Sequence, residues 1–211
     1  MKLKPLFCAA CLLSFASISF AQRFNGGILL GMNASQVDGD TYAGYNKFGL
    51  MGGAFVYTPL SKKFDMQLEI KYMGKGANKK TTEQSPSKYR SNLNYIEIPV
   101  LLRLNTKIKI GWEGGLGFGY LFAYSEEDEY GKLPSDQSSS FKPFELSSLI
   151  GATYQISQKF QINLRYSYSI LSIVKKIVDD PNNTYINYRS GRGVYNNLFS
   201  LGIYYNIGSK K

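Results

Sequence analysis

The sequence predicts an all-β fold, an eight-stranded antiparallel up-and-down transmembrane β-barrel, on three observations. Apolar and polar side chains alternate through several long segments. Short and long connections between those segments alternate along the chain. No stretch beyond residue 21 is apolar for the roughly 20 residues that a spanning helix needs, so a chain that crosses a membrane here must do so as a closed barrel, with every backbone group paired.

The alternation is clearest over residues 64–75. Phe64, Met66, Leu68, Ile70 and Tyr72 fall on one face; Asp65, Gln67, Glu69, Lys71 and Lys75 fall on the other, with Met73 an apolar exception among them. Successive strand side chains point to opposite sides, so this is a two-faced strand. Residues 108–122 repeat it, setting Ile108, Ile110, Trp112, Leu116, Phe118, Tyr120 and Phe122 against Lys109, Gly111, Glu113, Gly115, Gly117 and Gly119. Residues 160–170 do the same, with Phe160, Ile162, Leu164, Tyr166, Tyr168 and Ile170 against Gln161, Asn163, Arg165, Ser167 and Ser169. The eight predicted strands are 24–36, 47–58, 64–75, 93–104, 108–124, 144–156, 160–173 and 194–207. Three connections are short (59–63, 105–107 and 157–159) and four are long (37–46, 76–92, 125–143 and 174–193). Short periplasmic turns and longer extracellular loops are the habit of outer-membrane barrels, and an even strand number puts both ends of the barrel chain in the periplasm.

The first residues read as an export signal rather than as fold. Lys2 and Lys4 give a positive start, an apolar run extends from Leu6 to about Phe20, and Ser19 and Ala21 supply small residues before Gln22. The expected organisation is a cleaved signal peptide at 1–21 and a barrel domain at 22–211, placed in the outer membrane of a Gram-negative bacterium. Both cysteines, Cys8 and Cys11, lie in the signal, so the barrel has no thiol to form a disulfide. A formal net charge of +10 suits an anionic surface. For an exported chain that surface is lipid phosphate, and no nucleic-acid partner is expected.

Which face is oily decides between a membrane barrel and a soluble one. Tyr57, Tyr72, Tyr120, Phe122, Tyr124, Phe144, Tyr154, Phe160 and Tyr205 recur near predicted strand ends, as two interfacial girdles require. The opposite face carries charges at mid-strand. A soluble barrel with its apolar face inward, binding lipid in the periplasm, is the alternative from another class.

Residues 94–104, Asn-Tyr-Ile-Glu-Ile-Pro-Val-Leu-Leu-Arg-Leu, resemble a signature stretch of the PorT-like outer-membrane β-barrel proteins. The core is Tyr95, Ile96, Glu97, Ile98 and Pro99, followed by aliphatic residues and Arg103. The segment Gly-Gly-Ile-Leu-Leu-Gly-Met-Asn at 26–33 and the glycine-rich strand at 111–120 fit the same pattern. The resemblance implies an eight-stranded outer-membrane barrel. Its best-known member is linked to a protein secretion apparatus, a role that does not transfer on fold alone.

On the assigned alternation Glu69, Lys71, Glu97, Arg103, Glu113 and Arg165 face the lumen. An eight-stranded barrel is only wide enough for its interior side chains to fill, and buried charges persist when paired. Three acids and three bases therefore read as an interior plug, with a narrow ion path as the competing reading. Pro99 lacks an N–H for the ladder, so a bulge or bend is expected there. Gly111, Gly115, Gly117 and Gly119 lack the features of a phosphate loop and are expected to leave lumen room for Arg165 and Tyr95. Loops 76–92 and 174–193 are basic, offering Lys79, Lys80, Lys88, Arg90, Lys175, Lys176, Arg189 and Arg192 as candidate contacts for lipopolysaccharide or partner proteins. Loop 125–143 is acidic, with Glu126, Glu127, Asp128 and Glu129 in a row but without EF-hand spacing.

The sequence contains no histidine. Ser–His and Cys–His nucleophile pairs and the usual zinc sites are excluded, and no enzyme activity, cofactor or metal is expected. The expected function is that of a monomeric, non-enzymatic barrel acting through its extracellular loops in structure or interaction. A narrow transport or secretion-accessory barrel is the alternative within the membrane.

Overall fold

The computed structural model describes residues 24–39, 44–79, 88–134, 140–175 and 193–207. The predicted signal at 1–21 lies outside them. Among the described residues nine strands form in chain order: β1 Asn25–Asp38, β2 Lys47–Pro59, β3 Phe64–Lys79, β4 Tyr89–Asn105, β5 Ile110–Asp128, β6 Gly131–Lys132, β7 Phe144–Gln155, β8 Phe160–Ser169 and β9 Tyr195–Asn206. β6 only folds back on the end of β5, pairing Glu127 with Lys132. The other eight make the wall. Each pairs antiparallel with its neighbours in sequence, β4 joins β5, and β1 joins β9 from Gly27↔Asn206 to Asp38↔Tyr195. The sheet is therefore a closed eight-stranded barrel with no open edge, which is how a small antiparallel sheet avoids unpaired backbone.

Two short turns are built alike. In Leu60-Ser61-Lys62-Lys63-Phe64 and Ile156-Ser157-Gln158-Lys159-Phe160 the first N–H donates to the last carbonyl, at 2.9 and 3.0 Å. The serine hydroxyl accepts from the N–H of the phenylalanine, at 3.1 and 3.2 Å. A side-chain oxygen that bonds the backbone a few residues on is a local turn-former, and each turn leaves its lysines pointing at solvent.

The strands outrun their predicted extents at the loop end. β3 and β4 stay paired up to Lys79↔Tyr89, and β5 runs to Asp128. Residues 76–79, 89–92 and 125–128, expected in loops, are wall. β8 instead stops at Ser169, where 173 was expected. Beyond it Val174 pairs with Phe141 from the neighbouring loop.

Alternation continues through the wall. On the outside Leu30 is 65% exposed, Ile70 56%, Ile150 63% and Ile203 55%, whereas inward Glu69 and Arg165 are 1% and 2% exposed. Oily side chains therefore cover the exterior and ionic ones are enclosed, the reverse of a soluble barrel; the soluble lipid-binding reading fails on this geometry. Aromatic pairs stand at both ends of the outer face, Phe160 with Tyr205 near the short turns and Tyr120 with Phe144 and Tyr72 with Phe122 near the loops.

Two members of the expected girdles are elsewhere. Tyr57 is buried beside Phe55 and Tyr204 inside the barrel, because β2 is apolar on both faces at Phe55, Val56 and Tyr57 and its parity follows Phe55. Tyr124, still 44% exposed, pairs across the ladder with inward Leu93 and stands against the ring of Phe141, 5.2 Å between centroids. The cause is a bulge: Asn94 pairs with Ala123 but Tyr95 with Leu121, leaving Phe122 extra on β5. The irregularity predicted at Pro99 takes a milder form. Opposite Ile98–Pro99 the β3–β4 ladder loses its pairing at Glu69 and Ile70 and resumes in the same register.

Candidate functional site

The lumen holds a chain of alternating charges, and strand periodicity supplies it. Residues 65, 67, 69, 71, 73 and 75 of β3 share the inward face, so Glu69, Lys71 and Lys75 rise in a column. Arg165 on β8 reaches them from across the barrel. Its two terminal nitrogens donate to the two oxygens of Glu69, each at 2.9 Å, and its Nε donates to Glu113 Oε1 at 2.6 Å. This is the planar fork that guanidinium makes with carboxylate. Glu69 also accepts from Gln67 Nε2 at 2.7 Å and the Tyr204 hydroxyl at 3.0 Å.

From Glu69 the chain continues upward. Lys71 Nζ lies 3.3 Å from Glu69 and 3.4 Å from Glu97. Lys75 Nζ lies 2.6 Å from Glu97 and 3.1 Å from Glu145, with the Tyr95 ring centroid 4.9 Å away. Glu145 is closed off by the Ser169 hydroxyl at 2.5 Å and Asn196 Nδ2 at 3.0 Å. A buried charge left alone costs several kcal/mol, and a network is tolerable when its remaining lone pairs are also hydrogen-bonded. Here each of Lys71, Lys75 and Arg165 touches two carboxylates.

Of the six residues predicted for this network, the structure joins Glu69, Lys71, Glu97, Glu113 and Arg165. Arg103 is buried too, but it stands apart. Its Nη1 and Nη2 donate to Gln67 Oε1 at 2.7 Å and Gln161 Oε1 at 2.8 Å, and its guanidinium lies 5.7 Å from the Tyr57 ring centroid. Two members were missed, Lys75 and Glu145. Lys75 was already on the polar face of its strand; Glu145, second residue of a predicted strand, carried no local sign of a partner. With them the ionic chain holds four acids and three bases, and Arg103, Asp65, Glu126 and Lys47 are buried outside it.

Glycine makes some of this room. A Cβ on Gly119 would sit 3.2 Å from the Tyr95 ring, and one on Gly151 would sit 2.8 Å from Glu113. The space expected for Tyr95 is there. Gly115 and Gly117 instead admit the backbone of Val100 and the Ser147 hydroxyl, and Arg165 is not their neighbour.

Above the ionic chain the lumen turns apolar. Met51, Met73, Leu93, Tyr95, Leu121 and Leu198 form one buried cluster with Phe141, Ile173, Val174 and Val194, which come from the loops and fold inward over the mouth. Backbone bonds hold the two loops together, from Lys142 N–H to the Ile173 carbonyl at 2.7 Å and from Lys175 N–H to the Ser140 carbonyl at 2.9 Å. The cap is thus an apolar lid on a charged column.

Residues 15–175 match the family described as outer membrane protein beta-barrel domain, well over half of the chain. The chain belongs to this family. Its membership and the oily exterior place the barrel in the outer membrane. No curated protein sequence matches the chain. Among solved structures, this outer-membrane barrel is similar to Ail, the attachment invasion locus protein of Yersinia pestis, in complex with the heparin analogue sucrose octasulfate. The identity is 14% over 88% of this chain and 99% of that one, with a TM-score of 0.50. Neisserial surface protein A is 12% identical over 86% of this chain and 96% of that one, with a TM-score of 0.49. The likeness to Ail is one of fold.

The outer-membrane barrel spreads its predicted surface residues unevenly. Lys88 and Lys175 are exposed loop residues, whereas Lys79 and Arg90 belong to the wall, as the ends of β3 and β4. Lys80, Lys176, Arg189 and Arg192 lie outside the described residues. The acidic run is not a surface cluster. Glu126 is buried and accepts from the Tyr89 hydroxyl, and Glu127 sits opposite Arg90. Among the described residues no three His, Cys, Asp or Glu side chains are grouped to hold a metal.

Proposed function

We infer that this outer-membrane barrel is a closed, non-enzymatic scaffold that works through its extracellular loops as a structural or interaction protein. The observation that carries the reading is the filled lumen. Glu69, Lys71, Lys75, Glu97, Glu113, Glu145 and Arg165 are each at most 5% exposed, tied to one another, and capped by the apolar cluster. A path for solute along the axis would have to break both layers. Surface chemistry is therefore left to the loops, and the absence of histidine supports a non-catalytic role.

The stretch from Tyr95 to Arg103 supports the finer PorT-like placement. Its residues Tyr95, Glu97, Pro99 and Arg103 all face inward, so the motif specifies interior packing rather than a surface for a secretion partner. The test is reconstitution of the purified protein in planar bilayers together with crosslinking in intact cells. A silent bilayer and crosslinks through Lys88 and Lys175 are expected. Discrete conductance steps that Glu113→Gln or Arg165→Gln alters would replace this reading with the narrow transport barrel.

A further inference from the structure

The short-turn end of the barrel is basic throughout. Lys62 and Lys63, Lys107 and Lys109, and Lys159 are all exposed on the three turns, and residues 60–63, 106–109 and 156–159 include no acid. Among them opens a cleft of about 440 Å³ whose lining includes Lys62, Lys107, Lys109, Gln155, Gln161 and, 6% exposed, Arg103.

Arg103 is the anomaly of the interior. Lys71, Lys75 and Arg165 each contact two carboxylates; Arg103 contacts none among the described residues, only two glutamine oxygens and a ring face. Asp65, its cross-strand partner, is bonded by Asn105 Nδ2 at 2.6 Å instead. Of the five N–H donors of a guanidinium, two are used. A buried cation without a counterion is costly, and an anion entering the cleft would supply one. The cleft is also lined by Ile108 and Ile110, 67% and 38% exposed, which lead onto the lipid-facing side of β5 beside Trp112.

We propose that this cleft binds a net-negative phosphate ester, the headgroup of an anionic phospholipid of the periplasmic leaflet. The phosphate sits between the Arg103 guanidinium, whose planar fork matches two phosphate oxygens, and the ammonium groups of Lys107 and Lys109. The acyl chains run along Ile108, Ile110 and Trp112. A soluble phosphate ester shares the headgroup chemistry but makes no use of the isoleucines. The site lies at the opposite end from the loops, so its loss leaves the scaffold reading untouched.

The test uses the full barrel refolded in detergent and followed by native mass spectrometry. Dioctanoyl phosphatidylglycerol, dioctanoyl phosphatidylcholine and glycerol 3-phosphate are the probes. One phosphatidylglycerol should be retained about tenfold more tightly than phosphatidylcholine, and Arg103→Gln should lower that retention by about tenfold, the scale of one charge-assisted contact. Lys107→Gln with Lys109→Gln should act in the same direction, on exposed turn residues whose replacement leaves heat-dependent gel mobility unchanged. Glycerol 3-phosphate that fails to displace the lipid assigns the site to a headgroup; full displacement assigns it to a free ester of the same chemistry. Equal retention of the two lipids, unaltered in both variants, overturns the proposal.

Discussion

The wall of the barrel consists of two unlike arcs. β9, β1 and β2 turn Leu198, Tyr204, Leu29, Met51, Phe55 and Tyr57 into the lumen, and their one buried charge is Lys47 at the loop end. β3, β4, β5, β7 and β8 supply the four acids and three bases of the column, and β4 the separate Arg103. Strands also crowd closely in the apolar arc. A Cβ on Gly31 would lie 2.2 Å from the Leu201 carbonyl oxygen and 2.6 Å from Met51 Cε, and one on Gly53 would lie 2.1 Å from the Ile70 carbonyl oxygen. Glycine there permits an approach that any side chain would forbid. Because one arc offers the charges almost nothing beyond the Tyr204 hydroxyl and Asn196, the ionic groups find partners within their own arc. That is why Lys71, Lys75 and Arg165 are each shared between two carboxylates.

The largest effect expected from breaking this division is that of Arg165→Met. It strands Glu69 and Glu113 without their guanidinium, and removing one partner of a buried set costs about 3–5 kcal/mol; urea unfolding in lipid vesicles reads it. On the apolar arc Leu29→Ala should cost roughly 2–4 kcal/mol, as a lost side chain plus the cavity it leaves, by the same assay. If both arcs respond equally to conservative change, the distinction between them is lost. A double-mutant cycle sharpens it: Glu69→Gln in the Arg165→Met background should cost less than Glu69→Gln alone, with a coupling of about 0.5–3 kcal/mol. The smallest effect should be that of Met51→Leu, below about 1.5 kcal/mol, since volume is kept and no charge is involved.

These arcs were half legible in the sequence. The eight wall strands and the rhythm of turns followed from alternation, because a period of two is written residue by residue. The inward face of β3 was read correctly down to Met73, which the structure shows as the start of the apolar cap. What alternation cannot give is who meets whom. Glu69 and Arg165 come from β3 and β8, and Lys75 and Glu145 from β3 and β7, so partners are set by closure of the barrel and not by local spacing. Parity was also lost where both faces are oily, at Tyr57, and where an extra residue enters, at Phe122. Nothing local to Phe122 marks the bulge, and it is what turns Tyr124 towards the mouth. The apolar cap was missed because it is made by loop residues, Phe141, Ile173, Val174 and Val194, whose burial depends on two neighbouring loops meeting.

The ladder between β1 and β9 has a further consequence, for assembly. It joins Leu30 to Ile203, positions near the two extremes of the sequence, so it is the pairing with the greatest span of chain to close and the last that local order can prepare. Until it zips, the nascent sheet presents two raw edges in a medium that has no water to satisfy them. Closing the seam satisfies both edges at once, and it is the step that turns a sheet into a wall.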